Sequence, residues 1–203
     1  MKHKIKRGLR VSRYIIYKET LVDNREHFWS FAGAFMGIFL IAFFQSYSLA
    51  KQENVFLIGS FGASCVLVYG AIQSPLAQPR NLIGGHVISA IIGVTAYKLL
   101  PDIIWLTAPL AVAFSIVAMQ MTKTLHPPGG ATALIAVTST GNIPALGYWY
   151  VLSPVFTGVL ILYAVAMVFN NITKHRKYPT DKRFTNSIRR MFIKQKEAEI
   201  ESE

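Results

Sequence analysis

Apolar residues fall into six runs separated by short polar breaks. The first, Phe28–Ala50, is 23 residues without a charge. Val55–Ile72 follows, carrying Gly59, Gly62 and Gly70, and is closed by Ser74-Pro75 and Gln78-Pro79. Proline lacks a backbone donor and disfavours helix in the residue before it, so this double break ends the run. Asn81–Leu100 is the third run, Pro101-Asp102 a tight turn and Ile103–Met121 the fourth. Thr122–Pro128 is polar and stiff; Gly129–Thr138 is a short fifth run, Thr140–Pro144 a turn and Tyr148–Asn170 the sixth. A run of about 20 apolar residues matches the hydrocarbon thickness of a bilayer. Helix is the only open-chain structure that satisfies its own backbone there. The pattern therefore predicts an all-α, polytopic helical membrane protein with four to six transmembrane segments.

Charge sharpens this division. Of 203 residues, 52% are hydrophobic and 15% charged, against about 25% charged in a soluble domain. Between Phe28 and Asn170 only Lys51, Glu53, Arg80, Lys98, Asp102 and Lys123 carry formal charge, each in or beside a break. Residues 1–27 hold eight Lys/Arg and residues 171–203 hold nine. Three regions follow: a basic segment 1–27, a membrane region 28–170 and a charged tail 171–203. Positive flanks belong on the cytoplasmic side and attract anionic lipid head groups. Both ends are thus expected in the cytoplasm, which requires an even number of crossings, in a bacterial inner membrane. Six crossings put Arg80 and Lys123 inside with Lys51 and Lys98 outside; four put only Lys98 inside, so the loop charges favour six. The net charge of +11 sits in the tails, which argues against a nucleic-acid partner. No apolar stretch of signal-peptide kind follows the basic start, so no cleaved export signal is expected. Ile188, Met191 and Phe192 form an amphipathic turn suited to the membrane surface.

Trp29, Tyr97, Trp105, Tyr148, Trp149 and Tyr150 lie near the ends of runs, where interfacial anchors belong. Gly33-x-x-x-Gly37 makes a small ridge for close helix contact, within the chain or in a homodimer. Gly62-Ala-Ser64 matches Gly130-Ala-Thr132, and Val87-Ile-Ser-Ala90 matches Val155-Phe-Thr-Gly158, at one common offset. The chain then reads as two repeats of span, short broken helix and span. Shared Gly/Ala/Ser membrane composition is the alternative source of that match. Three crossings per unit would make the repeats inverted.

The most specific chemistry lies in Lys123-Thr-Leu-His-Pro-Pro-Gly-Gly-Ala-Thr132. Two prolines open the chain between membrane spans and restart a helix, where proline is favourable in the first turn. Gly129 and Gly130 allow a backbone or ligand to come close, and a helix start with free N–H groups favours an anion. A tight loop joining two helices is the plainer reading. Phe61-Gly62-Ala-Ser64 reads as a second short helix start, with the Ser64 hydroxyl available. His86 and His126, the only histidines in the membrane region, are candidate proton carriers; hydrogen-bonding roles in the packing are the alternative. Arg80 either attracts an anion at a mouth or snorkels to the interface, and Asn81 is placed to cap a helix. With Cys65 the histidines lack metal-ligand spacing, so no metal and no cofactor is expected.

Leu125-His-Pro-Pro-Gly-Gly-Ala-Thr-Ala-Leu134 resembles the signature of the HPP family of integral membrane proteins. Gly59-Ser-Phe-Gly-Ala-Ser64 and Ala77-Gln-Pro-Arg-Asn-Leu-Ile-Gly-Gly-His86 resemble further blocks of that family, and the resemblance covers about residues 25–170. It implies a membrane fold, usually described with four transmembrane segments. Plant plastid members are implicated in nitrite transport, while many bacterial members have no assigned substrate. The expectation is a transporter or channel for a small inorganic anion such as nitrite, and not an enzyme. The expected site comprises Ser64, Gly62, His126, Gly129, Gly130, Thr132, Arg80 and His86. A non-transporting sensor or scaffold is the alternative.

Overall fold

The computed structural model describes residues 24–47, 58–140, 142–173 and 175–180. Residues 1–23 and 181–203 of the basic segments, with the Ile188/Met191/Phe192 turn, and Lys51 and Glu53 lie outside them. Among the described residues the chain is helical: α1 (Asn24–Tyr47), α2 (Gly59–Cys65, continued by a wider π turn over Val66–Gly70), α3 (Pro79–Leu99), α4 (Ile104–Met121), α5 (Pro127–Thr138), α6 (Asn142–Leu146) and α7 (Thr157–Phe169), the last preceded by a kinked stretch Val151–Phe156. Four helical stretches are long and apolar enough to cross a membrane: Asn24–Phe44, Pro79–Leu99, Ile104–Met121 and Val151–Phe169. At 1.5 Å per residue, α5 is about 18 Å long and falls well short of the hydrocarbon thickness of about 30 Å.

Long-range contacts sort the connecting segments onto two ends of the bundle. At the first end Arg176 pairs with Glu26, the Thr180 N–H donates to Gln78, Tyr178 reaches the Ala77 carbonyl and Arg80 reaches the Thr122 carbonyl. At the second end Thr95 bonds Tyr148, and Lys98 lies over the Tyr148 ring. Burial pushes the Tyr178 phenol up, with Tyr163 adding to the shift, so it stays a neutral donor. Thus α1, α3 and α5 run from the first end to the second, and α2, α4 and α7 run back. Between these ends run four full-length helices and the short helices α2 and α5. The Lys98–Asp102 turn faces away from the end that holds Glu26 and Arg176. Cysteines at Leu100 and at Lys177, each in a Cys65→Ser background, are therefore expected to react with an impermeant maleimide from opposite sides of the membrane. Labelling from the same side would mean four crossings.

The sequence match at Gly62 and Gly130 acquires a spatial meaning here. The units α1–α2–α3 and α4–α5–α7 carry opposite helix directions, the sense that inverted repeats have. Each short helix packs on the other unit. Phe61 of α2 lies against Gly158 of α7. Gly93 of α3 lies so near α5 that a Cβ there would stand 2.7 Å from the Ala133 carbonyl oxygen. The Gly33/Gly37 ridge is filled within the chain, by Tyr69 and Leu162. Outward α1 carries Phe31, Phe35, Phe39 and Phe43, stacked one turn apart, as an apolar face toward lipid.

Candidate functional site

His126 ends the extended lead into α5, and the two prolines after it start the helix. Because α2 and α5 run antiparallel side by side, Ser64 comes to the level of His126, and Ser60 to that of Thr132. His86 points between them from the second turn of α3. Glycine makes this approach possible: at Gly85 a Cβ would collide with the His126 side chain, and at Gly129 it would stand 2.8 Å from the Gly85 carbonyl oxygen.

The result is a buried cluster in which Ser60, Ser64, His86, His126 and Thr132 are all 0% exposed. The Ser64 hydroxyl lies 2.7 Å from His86 Nε2 and 3.0 Å from His126 Nε2. His86 Nδ1 lies 2.7 Å from the Thr132 hydroxyl. Ser64 and Thr132, matched in the sequence, thus hold the two nitrogens of one imidazole. His126 Nδ1 donates to the Leu76 carbonyl at 2.8 Å, and Thr132 reaches the Ser60 hydroxyl at 2.9 Å. Tyr150, which the sequence places among interfacial anchors, is instead 0% exposed and donates to the Thr132 carbonyl at 3.1 Å. No carboxylate or cation is hydrogen-bonded to the cluster among the described residues. Groups of three or more His, Cys, Asp or Glu that could hold a metal ion are also absent among them.

Four of the eight sequence candidates, Ser64, His86, His126 and Thr132, meet in this cluster. Gly129 supports it by packing. Gly130 is half-buried, with only Val112 near a Cβ placed there, and Gly62 faces open space. Close approach therefore belongs to Gly129 and not to Gly130 or Gly62. Arg80 is exposed at the first end, where it donates to the Thr122 carbonyl at 2.7 Å, tying α3 to the end of α4. Asn81 caps nothing; it donates to the Leu125 carbonyl and secures the extended lead. The start of α5 does not offer a row of free donors. Pro127 and Pro128 have no N–H, and the Gly129 N–H is bonded to the His126 carbonyl. What faces the interior is a set of hydroxyls and imidazoles, which can exchange protons.

Sequence reasoning missed Ser60, the Leu76 carbonyl and Tyr150. Ser60 lies one helical turn before Ser64, so the face shared by positions four apart was the available signal. The Leu76 carbonyl left none.

A model of the HPP transmembrane region matches residues 19–179 of the chain. Two transmembrane proteins of Dictyostelium discoideum are similar. One is 42% identical over 160 residues, covering 77% of this chain and 51% of the relative. The other is 40% identical over 160 residues, covering 77% of this chain and 56% of the relative. The chain thus spans about half the length of the curated relatives it matches, and their organism gives no support to a bacterial inner membrane. No solved structure matches.

Proposed function

The chain belongs to the HPP transmembrane family, and on that premise we propose that it is a transporter for a small anion, nitrite the first cargo to test. The observation that carries this reading is the antiparallel meeting of α2 and α5 at His86, with one hydroxyl from each repeat on the imidazole. Inverted repeats with interrupted helices at their interface are a common transporter plan, in which one repeat rocks against the other around a fixed site. Opening the α2–α5 contact would expose the Ser64 and Thr132 hydroxyls and the His126 ring, polar groups able to replace part of an anion's water. The basic flanks are proposed to face the cytoplasm and its anionic lipids.

Nitrite uptake into liposomes containing the full chain tests this. Uptake above protein-free vesicles is expected, rising as the outside is made more acid. In His126→Gln, which keeps a polar group of similar size, some flux should remain while the dependence on pH is lost. Absence of flux for nitrite and other small anions would return the sensor or scaffold reading. Identical pH profiles would leave His126 a packing residue.

A further inference from the structure

The hydroxyls and imidazoles at the α2–α5 crossing admit two arrangements of their protons. A carbonyl only accepts, so His126 Nδ1 carries a hydrogen and donates to Leu76. With His126 neutral, its Nε2 is an acceptor and takes the Ser64 hydrogen when that hydroxyl turns from the Ser60 carbonyl, its other acceptor at 3.0 Å. Ser64 has one hydrogen, so His86 Nε2 must donate to Ser64. Neutral His86 then accepts at Nδ1 from Thr132. In this arrangement every bond from Thr132 to Leu76 points one way, and Thr132 exchanges its donation to the Ser60 hydroxyl for His86.

One added proton supports a second complete arrangement. If His126 carries hydrogen on both nitrogens, it donates to Ser64, Ser64 donates to His86 Nε2, and His86 Nδ1 donates to Thr132. The Thr132 hydrogen is then free for the Ser60 hydroxyl, 2.9 Å away. The second arrangement keeps the donation from Thr132 to Ser60, and the first gives it up for the bond to His86.

We propose that Thr132, His86, Ser64 and His126 form a proton relay with two polarities, and that this proton is the coupling ion of transport. The inference rests on the transport reading for its use and adds the atoms. In the forward step an incoming proton bonds to Thr132 Oγ1 as the Thr132 hydrogen passes to His86 Nδ1. The His86 Nε2 hydrogen passes to Ser64 as the Ser64 hydrogen passes to His126 Nε2. The positive charge appears on His126, and its Nδ1 hydrogen passes to water or to the anion only when the ring turns from the Leu76 carbonyl as the α2–α5 contact opens. One proton enters and one leaves. Each ring ends in its other tautomer, so hydroxyl and ring reorientation completes a cycle.

The surroundings suit this. Ser60 adjoins Gly59, beside which there is open space, and Leu76 is half-buried beside exposed Pro75. Titratable groups facing the rings are few: each faces the other at 5.0 Å between centroids, Cys65 follows Ser64 on α2, and Tyr150 reaches the Thr132 carbonyl. Helix α4, which brings Met119 against Gly85, has no titratable side chain along its length.

The first test needs no transport. In isotope-labelled full-length protein in vesicles near neutral pH, nitrogen resonances should show His86 hydrogen on Nε2 and His126 hydrogen on Nδ1, assigned with His86→Gln and His126→Gln. The opposite tautomer on His86 would overturn the directed chain. The second test is proton entry into vesicles under a potassium diffusion potential. Ser64→Ala should lower it roughly a hundredfold, and Ser64→Thr, which keeps a hydroxyl, should recover part. Ser64→Ala that folds, by an unchanged melting midpoint, and conducts protons like the parent would overturn the relay. Nitrite flux without proton flux defeats the relay and leaves transport standing. Proton flux without flux of nitrite or another anion keeps the relay and defeats the anion reading.

Discussion

Arg176→Ala is expected to be the most damaging single change outside the central cluster. The guanidinium is 2% exposed at the first end of the bundle. It bonds Glu26 at 2.7 Å, the Tyr69 carbonyl at 2.9 Å and the Asn170 side chain at 2.9 Å. It thereby ties together the start of α1, the last turn of α2 and the end of α7. Breaking a buried ion pair on one side costs roughly 3–5 kcal/mol, because a charge and several acceptors lose their partner. Glu26 is 32% exposed and partly screened by water, so the loss should fall at the lower end. Thermal unfolding of the purified protein in detergent should show a fall of several degrees. Arg176→Lys should recover only part, since a single ammonium cannot reproduce the fork that serves three elements. Glu26→Gln should cost less, because the carbonyl and Asn170 bonds remain. An unchanged midpoint in Arg176→Ala would mean that the three elements hold together by apolar packing alone.

Gly93→Leu is expected to separate α3 from α5. The Cβ alone would stand 2.7 Å from the Ala133 oxygen, 2.9 Å from its Cα and 2.9 Å from the Ala136 Cβ. Two of those atoms are backbone and cannot turn aside, so the helices must part. Overpacking of a tight interior costs roughly 1–3 kcal/mol, and occasionally more. Here the displaced helix carries Thr132, so the His86–Thr132 bond should open as well. Reduced melting temperature together with loss of flux is the expected pair of results. Gly62→Leu is the control: that Cβ meets nothing within 4 Å, and the fold should survive. Equal damage in the two variants would contradict the α3–α5 contact as the cause.

The sequence by itself determined that this is a helical membrane protein, because charge is almost absent from 28–170 and apolar runs set the helix lengths. It also marked the break before α5, since Pro127 and Pro128 cannot lie inside a regular helix, and it singled out His86 and His126 as ionisable groups in an apolar stretch. A short match was visible as Gly62-Ala-Ser64 against Gly130-Ala-Thr132. Its inverted sense was not, because direction depends on how many times the chain crosses, and a short run does not reveal whether it traverses the bundle. Tertiary structure decided that. It also decided which glycines matter: Gly85, Gly93 and Gly129 lie against backbone, while Gly62 faces open space, and composition cannot tell the two apart. It brought Ser60 and Ser64, one turn apart on α2, against residues more than sixty positions later. It turned Tyr150 inward and placed a carbonyl from Leu76 on His126. That carbonyl fixes a hydrogen on His126 Nδ1, because a carbonyl can only accept.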